Sequence, residues 1–431
     1  MSPATQHAAT TSADGHVLEG LIIADDLTGA ADSAVAFAVA GMSTRVLFAG
    51  AGGPSQGDVP TSALGAGGIQ VLAVDTDSRR LAPRDARTTV AAALRGAPTA
   101  RLRMKKIDST LRGNLGEETL AALEALGARL AICAPAFPAA DRQTRAGKQW
   151  AAGRVVGDVA ACFTGISTAH IPLRAVRAGA SESLLDRAAA AGTRVVVVDA
   201  TTQDDLNAVV EAGRHRDDVV WVGSGGLGAA LARATSGQDD TSDADAASVG
   251  SRPLPLIALD DPVLTVVGSA TPVAAAQATR VVARGAREVT IPVSALISGA
   301  APVGPWPQQV GDALQDRRDV VLRIDEGDTI VPGHGRAIVE ALADAVAPVL
   351  HRIPPAALVA TGGETALAFG RSLGAHGLDV IAELEPGVVY SRLVGGSSLP
   401  LVTKAGAFGD PGTLARTIEI LRPNDRLEGH R

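Results

Sequence analysis

Short apolar runs alternate with alanine-rich helical runs along almost the whole chain, and no other feature limits the fold so strongly. The run Leu18–Ala24 precedes a helical pattern over Gly29–Ala40, and Ile69–Val74 precedes one over Pro83–Leu94. Leu102–Ile107 is followed by Gly116–Leu126, Arg194–Val198 by Thr202–Ala212, and Val219–Val222 by Leu227–Ala234. Runs this short and this uniformly apolar suit strands covered on both faces, and a helix is the connection that parallel neighbours need. The pattern predicts an α/β fold with mostly parallel sheets.

The alternation breaks once. Thr235–Ser251 reads TSGQDDTSDADAASVGS, and Pro253 and Pro255 follow closely. So polar and acidic a stretch has too little apolar surface to join a core, and it reads as a linker. Strand runs then resume at Leu264–Val267, Glu288–Pro292, Val320–Ile324, Ala357–Thr361, Gly387–Leu393 and Leu399–Lys404. Helical runs lie between and beyond them, at Pro272–Ala283, Gly333–Val349, Thr365–Leu373 and Gly412–Leu421. A chain of 431 residues exceeds the size at which one core stops growing. The expected plan is a structureless tail over residues 1–16, an α/β domain over 17–235, an acidic linker over 236–261 and a second α/β domain over 262–425. Gly299–Gln309, with three prolines, reads as a surface loop.

Charge and composition narrow the function. The net charge is −7, which disfavours a nonspecific nucleic-acid or anionic-membrane partner. Aromatic residues make up only 2%, too few for base-stacking platforms. Cys133 and Cys162 lack CxxC spacing, and the eight histidines lack HExxH spacing, so neither a structural zinc site nor a histidine metal ligand is expected. The start of the chain has no basic and apolar leader, and no 18-residue apolar run occurs, so a cytoplasmic protein is expected. A homodimer is compatible with all of this.

Ligands of open α/β sheets bind at the carboxyl ends of strands, and three such ends carry polar clusters. Asp25-Asp26-Leu27-Thr28-Gly29 follows the first strand; one acidic side chain there serves to cap the next helix, and a second suggests hydroxyl or metal binding. Asp75-Thr76-Asp77-Ser78-Arg79-Arg80 ends another, and an arginine there can grip a carboxylate with two parallel bonds. The densest is Lys105-Lys106-Ile107-Asp108-Ser109-Thr110-Leu111-Arg112-Gly113-Asn114. Lys106 and Asp108 are two apart and face one side of an extended chain, with Arg112 able to close over them. Together the clusters suit a small anionic, hydroxylated molecule.

The second half carries glycine turns instead: Gly268-Ser269-Ala270-Thr271-Pro272, Gly362-Gly363-Glu364-Thr365 and Lys404-Ala405-Gly406-Ala407-Phe408-Gly409. Each sits between a strand and a helix, where bare backbone amides and the helix dipole favour phosphate. No GxxxxGK[ST] loop, kinase HRD or DFG triplet, or GxSxG elbow is present. Gly223-Ser224-Gly225-Gly226-Leu227-Gly228 matches GxGxxG, but the acidic residues after it fall in the linker rather than on a second strand.

Taken in order, the segments Ala24–Ser33, Asp75–Arg79, Lys105–Asn114, Ala134–Arg142, Gly268–Pro272, Gly362–Thr365 and Lys404–Asp410 resemble the four-carbon acid sugar kinases, across nearly the whole chain. The resemblance implies transfer of a phosphoryl group from ATP, with Mg²⁺, to the 4-hydroxyl of threonate, erythronate or a 3-oxo-tetronate. It implies an N-terminal acid-binding domain holding Asp25, Asp26, Arg79, Lys106, Asp108, Ser109 and Arg112, with Asp26 or Asp108 as the base. It implies an ATP site at Ser269, Gly362, Gly363, Glu364, Thr365 and Gly406. Two departures stand out. Ala405 and Ala407 replace the family's usual serine and asparagine, and the segment between Trp150 and His170 is shortened. Two other classes fit parts of the sequence: a sugar-acid sensor without turnover, and a nicotinamide dehydrogenase using Gly223–Gly228.

Overall fold

The structure, a computed structural model, describes residues 17–49, 68–95, 97–237, 261–268, 271–297, 304–325, 334–406 and 408–422. The expected tail, nearly all of the expected linker and Ser269 lie outside them.

The first half contains strands β1 (Leu18–Ala24), β2 (Thr44–Phe48), β3 (Val71–Asp75), β4 (Ala100–Lys106) and β5 (Leu130–Ala134). A hairpin unit of β6 (Arg142–Arg145), β7 (Lys148–Ala151) and β8 (Arg154–Asp158) follows, then β9 (Thr168–Ile171), β10 (Val195–Val198) and β11 (Val219–Gly223). Helices α1 (Leu27–Val39), α2 (Pro83–Arg95), α3 (Leu115–Ala125), α4 (Leu173–Arg177), α5 (Ser181–Ala190), α6 (Gln203–Gly213) and α7 (Gly225–Ser236) connect them. The second half has β12 (Val263–Val267), β13 (Arg287–Ile291), β14 (Val320–Ile324), β15 (Ala357–Thr361), β16 (Gly377–Glu385), β17 (Val388–Val394) and β18 (Pro400–Lys404). Its helices are α8 (Pro272–Val282), α9 (Ser294–Ile297), α10 (Trp306–Gln315), α11 (Gly335–Arg352), α12 (Gly363–Ser372) and α13 (Thr413–Leu421).

The α/β class is as expected, and the structure adds a joint. Among the described residues, fifteen strands form one sheet in the order β13-β14-β12-β15-β18-β17-β16-β2-β3-β1-β4-β11-β5-β10-β9. The non-edge strands β5, β10, β12 and β15 are buried along their whole length, which is why their runs do not alternate. The two halves meet where β2 and β16 pair antiparallel, Leu47 opposite Gly377 and Thr44 opposite Val380. A side chain on Gly377 would strike the Val46 carbonyl, so the close approach needs glycine there.

Three antiparallel pairings in succession, β2–β16, β16–β17 and β17–β18, reverse the strand direction between the halves. In a flat sheet their carboxyl edges would lie on opposite sides. Twist and the irregularities in β16 curl the second half over α1 instead, and one apolar layer runs from Ile22 and Phe37 through Phe369 to Leu342. Helix α1 is thus shared between the halves.

Two local expectations change. Residues 306–309 open α10 rather than closing a surface loop; Pro307 sits in the first turn, where no amide partner is lost, and Trp306 is buried. The β6–β8 unit had no predicted elements. Its turns at Ala146-Gly147 and Ala152-Gly153 have positive φ at both residues, the hairpin geometry that sequence rules associate with Asn-Gly rather than Ala-Gly.

Candidate functional site

A cleft of about 550 Å³ opens where the start of α1 meets the end of β4 and the β18 loop. Residues expected in the acid pocket line it: Asp26, Arg79, Lys106, Asp108, Ser109 and Arg112. Asp25 is sealed directly behind them.

The cluster is organised by two arginines. Arg79 donates from Nε and Nη2 to Asp25 at 2.9 and 2.8 Å, and from Nη1 and Nη2 to Asp26 at 2.6 and 2.8 Å. Asp26 also accepts the Thr28 hydroxyl and the Gly29 amide, both at 2.8 Å, and so caps α1. Burial works to raise the Asp25 carboxyl, but Arg79 and Lys105 together overcome it and hold that group below the usual carboxylate range.

Arg112 forks onto Asp108 at 2.8 and 2.9 Å. The Thr110 hydroxyl and the amides of Thr110 and Arg112 donate to the same carboxylate. This wrap requires Leu111 in the left-handed region, a strained choice for leucine, with Gly113 following at φ 96°. Burial pushes Asp108 up, and the Arg112 and Thr110 bonds together with the Arg79 charge pull it below its ordinary range.

Alternation along β4 separates the two lysines. Lys106 lines the cleft and donates to the Ile107 carbonyl at 2.9 Å. Lys105 turns to the opposite face, fully buried against Glu118 at 2.8 Å. Glu118 also accepts from Ser78 at 2.7 Å, tying α3 to the loop that carries Arg79.

The glycine turns of the second half converge as well. Strands β12, β15 and β18 are neighbours, and their carboxyl ends present Gly268, Gly362 and Gly406. A Cβ on Gly268 would collide with the Thr365 hydroxyl, and Thr271 donates to the Gly406 carbonyl at 3.0 Å. Gly362, at φ 94°, begins α12, whose first amides are unobstructed by side chains at Gly362 and Gly363. Glu364 pairs with Arg80 of the first half at 3.1 Å. Lys404 folds its own loop, donating to the carbonyls of Ala405 and Phe408 at 2.8 Å, and burial lowers its pKa to about 8.

The two clusters touch. A side chain on Gly363 would lie 3.0 Å from the Thr28 hydroxyl and 3.6 Å from Asp26 Oδ2. Phe137 and Phe408 approach across the cleft with ring centroids 6.4 Å apart.

Several site residues escaped the sequence reading. Asp32 lines the cleft, and it is the one charged side chain in an α1 otherwise made of small and apolar residues. Gln149, buried on the hairpin unit, donates to the Ser109 carbonyl at 2.8 Å and accepts from Thr144 at 2.7 Å. Ser224 at the start of α7, and Gly387, Val389 and Thr403 from the second half, complete the wall.

The GxGxxG stretch is occupied by protein. A Cβ on Gly225 would lie 2.5 Å from Asp32 Oδ2, one on Gly226 2.7 Å from the Ala136 carbonyl, and one on Gly228 3.2 Å from Ser33 Cβ. These glycines allow α7 to pack on α1 and on the loop after β5, which accounts for them without a dinucleotide. Among the described residues no three His, Cys, Asp or Glu side chains converge as a metal ligand set, and no helix is long and apolar enough to cross a membrane.

Comparison with known proteins gives a consistent match. A family model described as a sugar-binding N-terminal domain matches residues 20–162 and 156–231, and one described as a nucleotide-binding C-terminal domain matches 264–414. The chain is 38% identical to the D-threonate kinase of Cupriavidus necator, over 91% of this chain and 96% of the relative. It is 30% identical to the D-erythronate kinase of Heliobacterium modesticaldum, over 93% of this chain and 96% of the relative. A solved structure, Haemophilus influenzae protein HI1011, superposes with a TM-score of 0.66 at 20% identity, covering 93% of this chain and 98% of that one, which shows a shared fold.

Proposed function

This chain belongs to the four-carbon acid sugar kinase family, and from that premise we propose that it transfers the γ-phosphoryl group of ATP to the 4-hydroxyl of a four-carbon sugar acid of the threonate or erythronate type. One observation carries the reading beyond kinship. The Gly362–Thr365 turn packs directly on Asp26 and Thr28, so a nucleotide at the start of α12 lies beside an acid held at the ends of β1 and β4. Phosphoryl transfer asks mainly for such positioning and for charge neutralisation.

In this reading residues 17–235 bind the acid and residues 262–425 bind ATP. Lys106 and Arg112 hold the sugar-acid carboxylate, Arg79 braces the anionic floor with Asp25 and Asp26, and Asp108 and Ser109 position hydroxyl groups. Ser269, Gly362, Gly363, Thr365 and Gly406 surround the nucleotide phosphates, with Glu364 at the rim. Mg²⁺ suits this arrangement as the partner of the triphosphate, held largely by phosphate oxygens and water; when bound, it neutralises charge developing on the transferred group. The chain works in the cytoplasm, where ATP is at hand.

The test is a coupled ADP-release screen over D- and L-threonate, D- and L-erythronate and their 3-oxo derivatives. ADP release dependent on one of these acids is expected. Tight acid binding without ADP release would leave a sensor, and neither binding nor release would end the reading.

A further inference from the structure

We propose that Asp32 is the catalytic base, its carboxylate taking the proton from the sugar-acid hydroxyl as that oxygen attacks the γ-phosphorus. This rests on the phosphotransfer reading above and reassigns a role that the sequence suggested for Asp26 or Asp108.

The argument begins with lone pairs. An ionised carboxylate offers about four acceptor positions. Asp26 receives four donors: Thr28, Gly29 and two from Arg79. Asp108 receives Thr110 twice and Arg112 three times. Asp26 has no open position for a hydroxyl; Asp108 keeps one on Oδ1, which can orient a hydroxyl, but Arg112 and Arg79 hold that carboxyl below its ordinary range, so it is a weak proton acceptor. Asp32 lines the same cleft, half-buried, and has no hydrogen-bond or ion-pair partner among the described residues.

Its surroundings suit proton transfer. Lys106 of β4, Asp26 at the start of α1 and Glu383 of β16 act on it by charge, and Gly225 at the start of α7 packs against its carboxylate. Burial pushes the Asp32 carboxyl up, Lys106 opposes this, Glu383 and Asp26 add to it, and it comes to rest at about 7. A base works best when its pKa lies near the working pH. Glu383, whose charge acts on Asp32, belongs to β16 of the nucleotide half, the half from which a γ-phosphoryl group would approach.

The step balances. The hydroxyl oxygen forms a bond to the γ-phosphorus, and the bond from that phosphorus to the β,γ-bridging oxygen breaks. ADP leaves with the electron pair, and the hydroxyl proton stays on Asp32 until solvent removes it.

The experiment measures kcat and KM against pH for the wild type, Asp32→Asn, Glu383→Gln, Asp26→Asn and Asp108→Asn, using ATP and whichever acid the screen identifies. The wild-type kcat should fall as pH drops below about 7. Asp32→Asn should lower kcat by about 10²–10⁴-fold and abolish that limb, with both KM values little changed. Glu383→Gln should move the limb to lower pH, a response that a purely structural Asp32 would not show. A limb that survives in Asp32→Asn, or that vanishes instead in Asp26→Asn or Asp108→Asn, overturns the proposal. If Asp32→Asn does not fold, an unmoved limb in Glu383→Gln overturns it alone. A wild type that releases no ADP with any acid defeats the kinase reading itself, and this is seen before any variant is compared.

Discussion

The charged cluster of the first half and the glycine turns of the second are built from different materials. On the acid side, side-chain charges do the work: Arg79 spans two carboxylates and Arg112 wraps a third. On the nucleotide side there is little charge, and the features that matter are what Gly268, Gly362 and Gly363 lack. A small acid must be recognised by the direction of its charges and hydroxyls, which takes side chains in fixed forks. A triphosphate can be held by amides and a helix end, which takes bare backbone. The two sides should therefore fail in opposite ways, one on losing a group and the other on gaining one.

The largest effect is expected on the acid side. Arg79→Ala removes the guanidinium that bridges the buried Asp25 and the capping Asp26, leaving only the more distant charges of Lys105 and Lys106. Removing one partner of a buried ion pair costs about 3–5 kcal/mol, so thermal unfolding should drop sharply and kcat/KM for the acid should fall at least about 10²-fold. Arg79→Lys should rescue little, because one ammonium cannot bridge two carboxylates in parallel. Activity of the lysine variant near wild type would show that only charge matters in this cluster.

On the nucleotide side the smallest possible addition should suffice. In Gly268→Ala the new methyl meets the Thr365 hydroxyl and must displace it. Overpacking of this kind costs about 1–3 kcal/mol, and we expect the KM for ATP to rise about tenfold while acid binding, followed by titration, stays unchanged. A rise in the acid KM instead would mean that the two sides are not separately built.

The same difference decides what was legible in the sequence. Charged residues crowded at strand ends announce themselves, so Asp26, Arg79, Lys106, Asp108, Ser109 and Arg112 stand out in the sequence, and the structure brings them to one cleft. Glycine turns were found as turns, yet the same logic raised a false GxGxxG, because a glycine needed for helix packing and one needed for phosphate look alike in sequence. Asp32 was passed over because it lies within a helix, where a lone aspartate reads as a solvated position. Strand β16 was missed because Asp379, Glu383 and Glu385 interrupt its apolar pattern. Its burial is supplied by β2 and β17 from distant parts of the chain, and local periodicity does not report it.

A smaller effect concerns stability and has the opposite sign. Asp32 titrates near 7 when folded and near the ordinary 3.8 when unfolded. Between those values the unfolded chain binds fewer protons, so this group's contribution to stability is lost as pH rises through the window. Asp32→Asn should therefore be more resistant to urea than the wild type at pH 8, by about 1–2 kcal/mol because the half-open site is partly screened, and show a smaller gain at pH 5. A variant less stable than the wild type at pH 8 would make Asp32 a structural anchor.

The weakest effect should come from the seam between the halves. Arg45 of β2 donates to Asp379 of β16 at 2.6 and 3.1 Å, and Asp379 is 44% exposed. An exposed pair is worth at most about 1 kcal/mol, and Arg45→Ala should move the urea midpoint by no more than that. The strand ladder and the apolar layer under α1 remain, and they are what join the halves. Unfolding should stay a single transition, with ATP-side and acid-side probes lost together. If the variant instead unfolds in two steps, the charge pair is the true fastening, and the contrast between a charged half and a backbone-built half extends to how each is held.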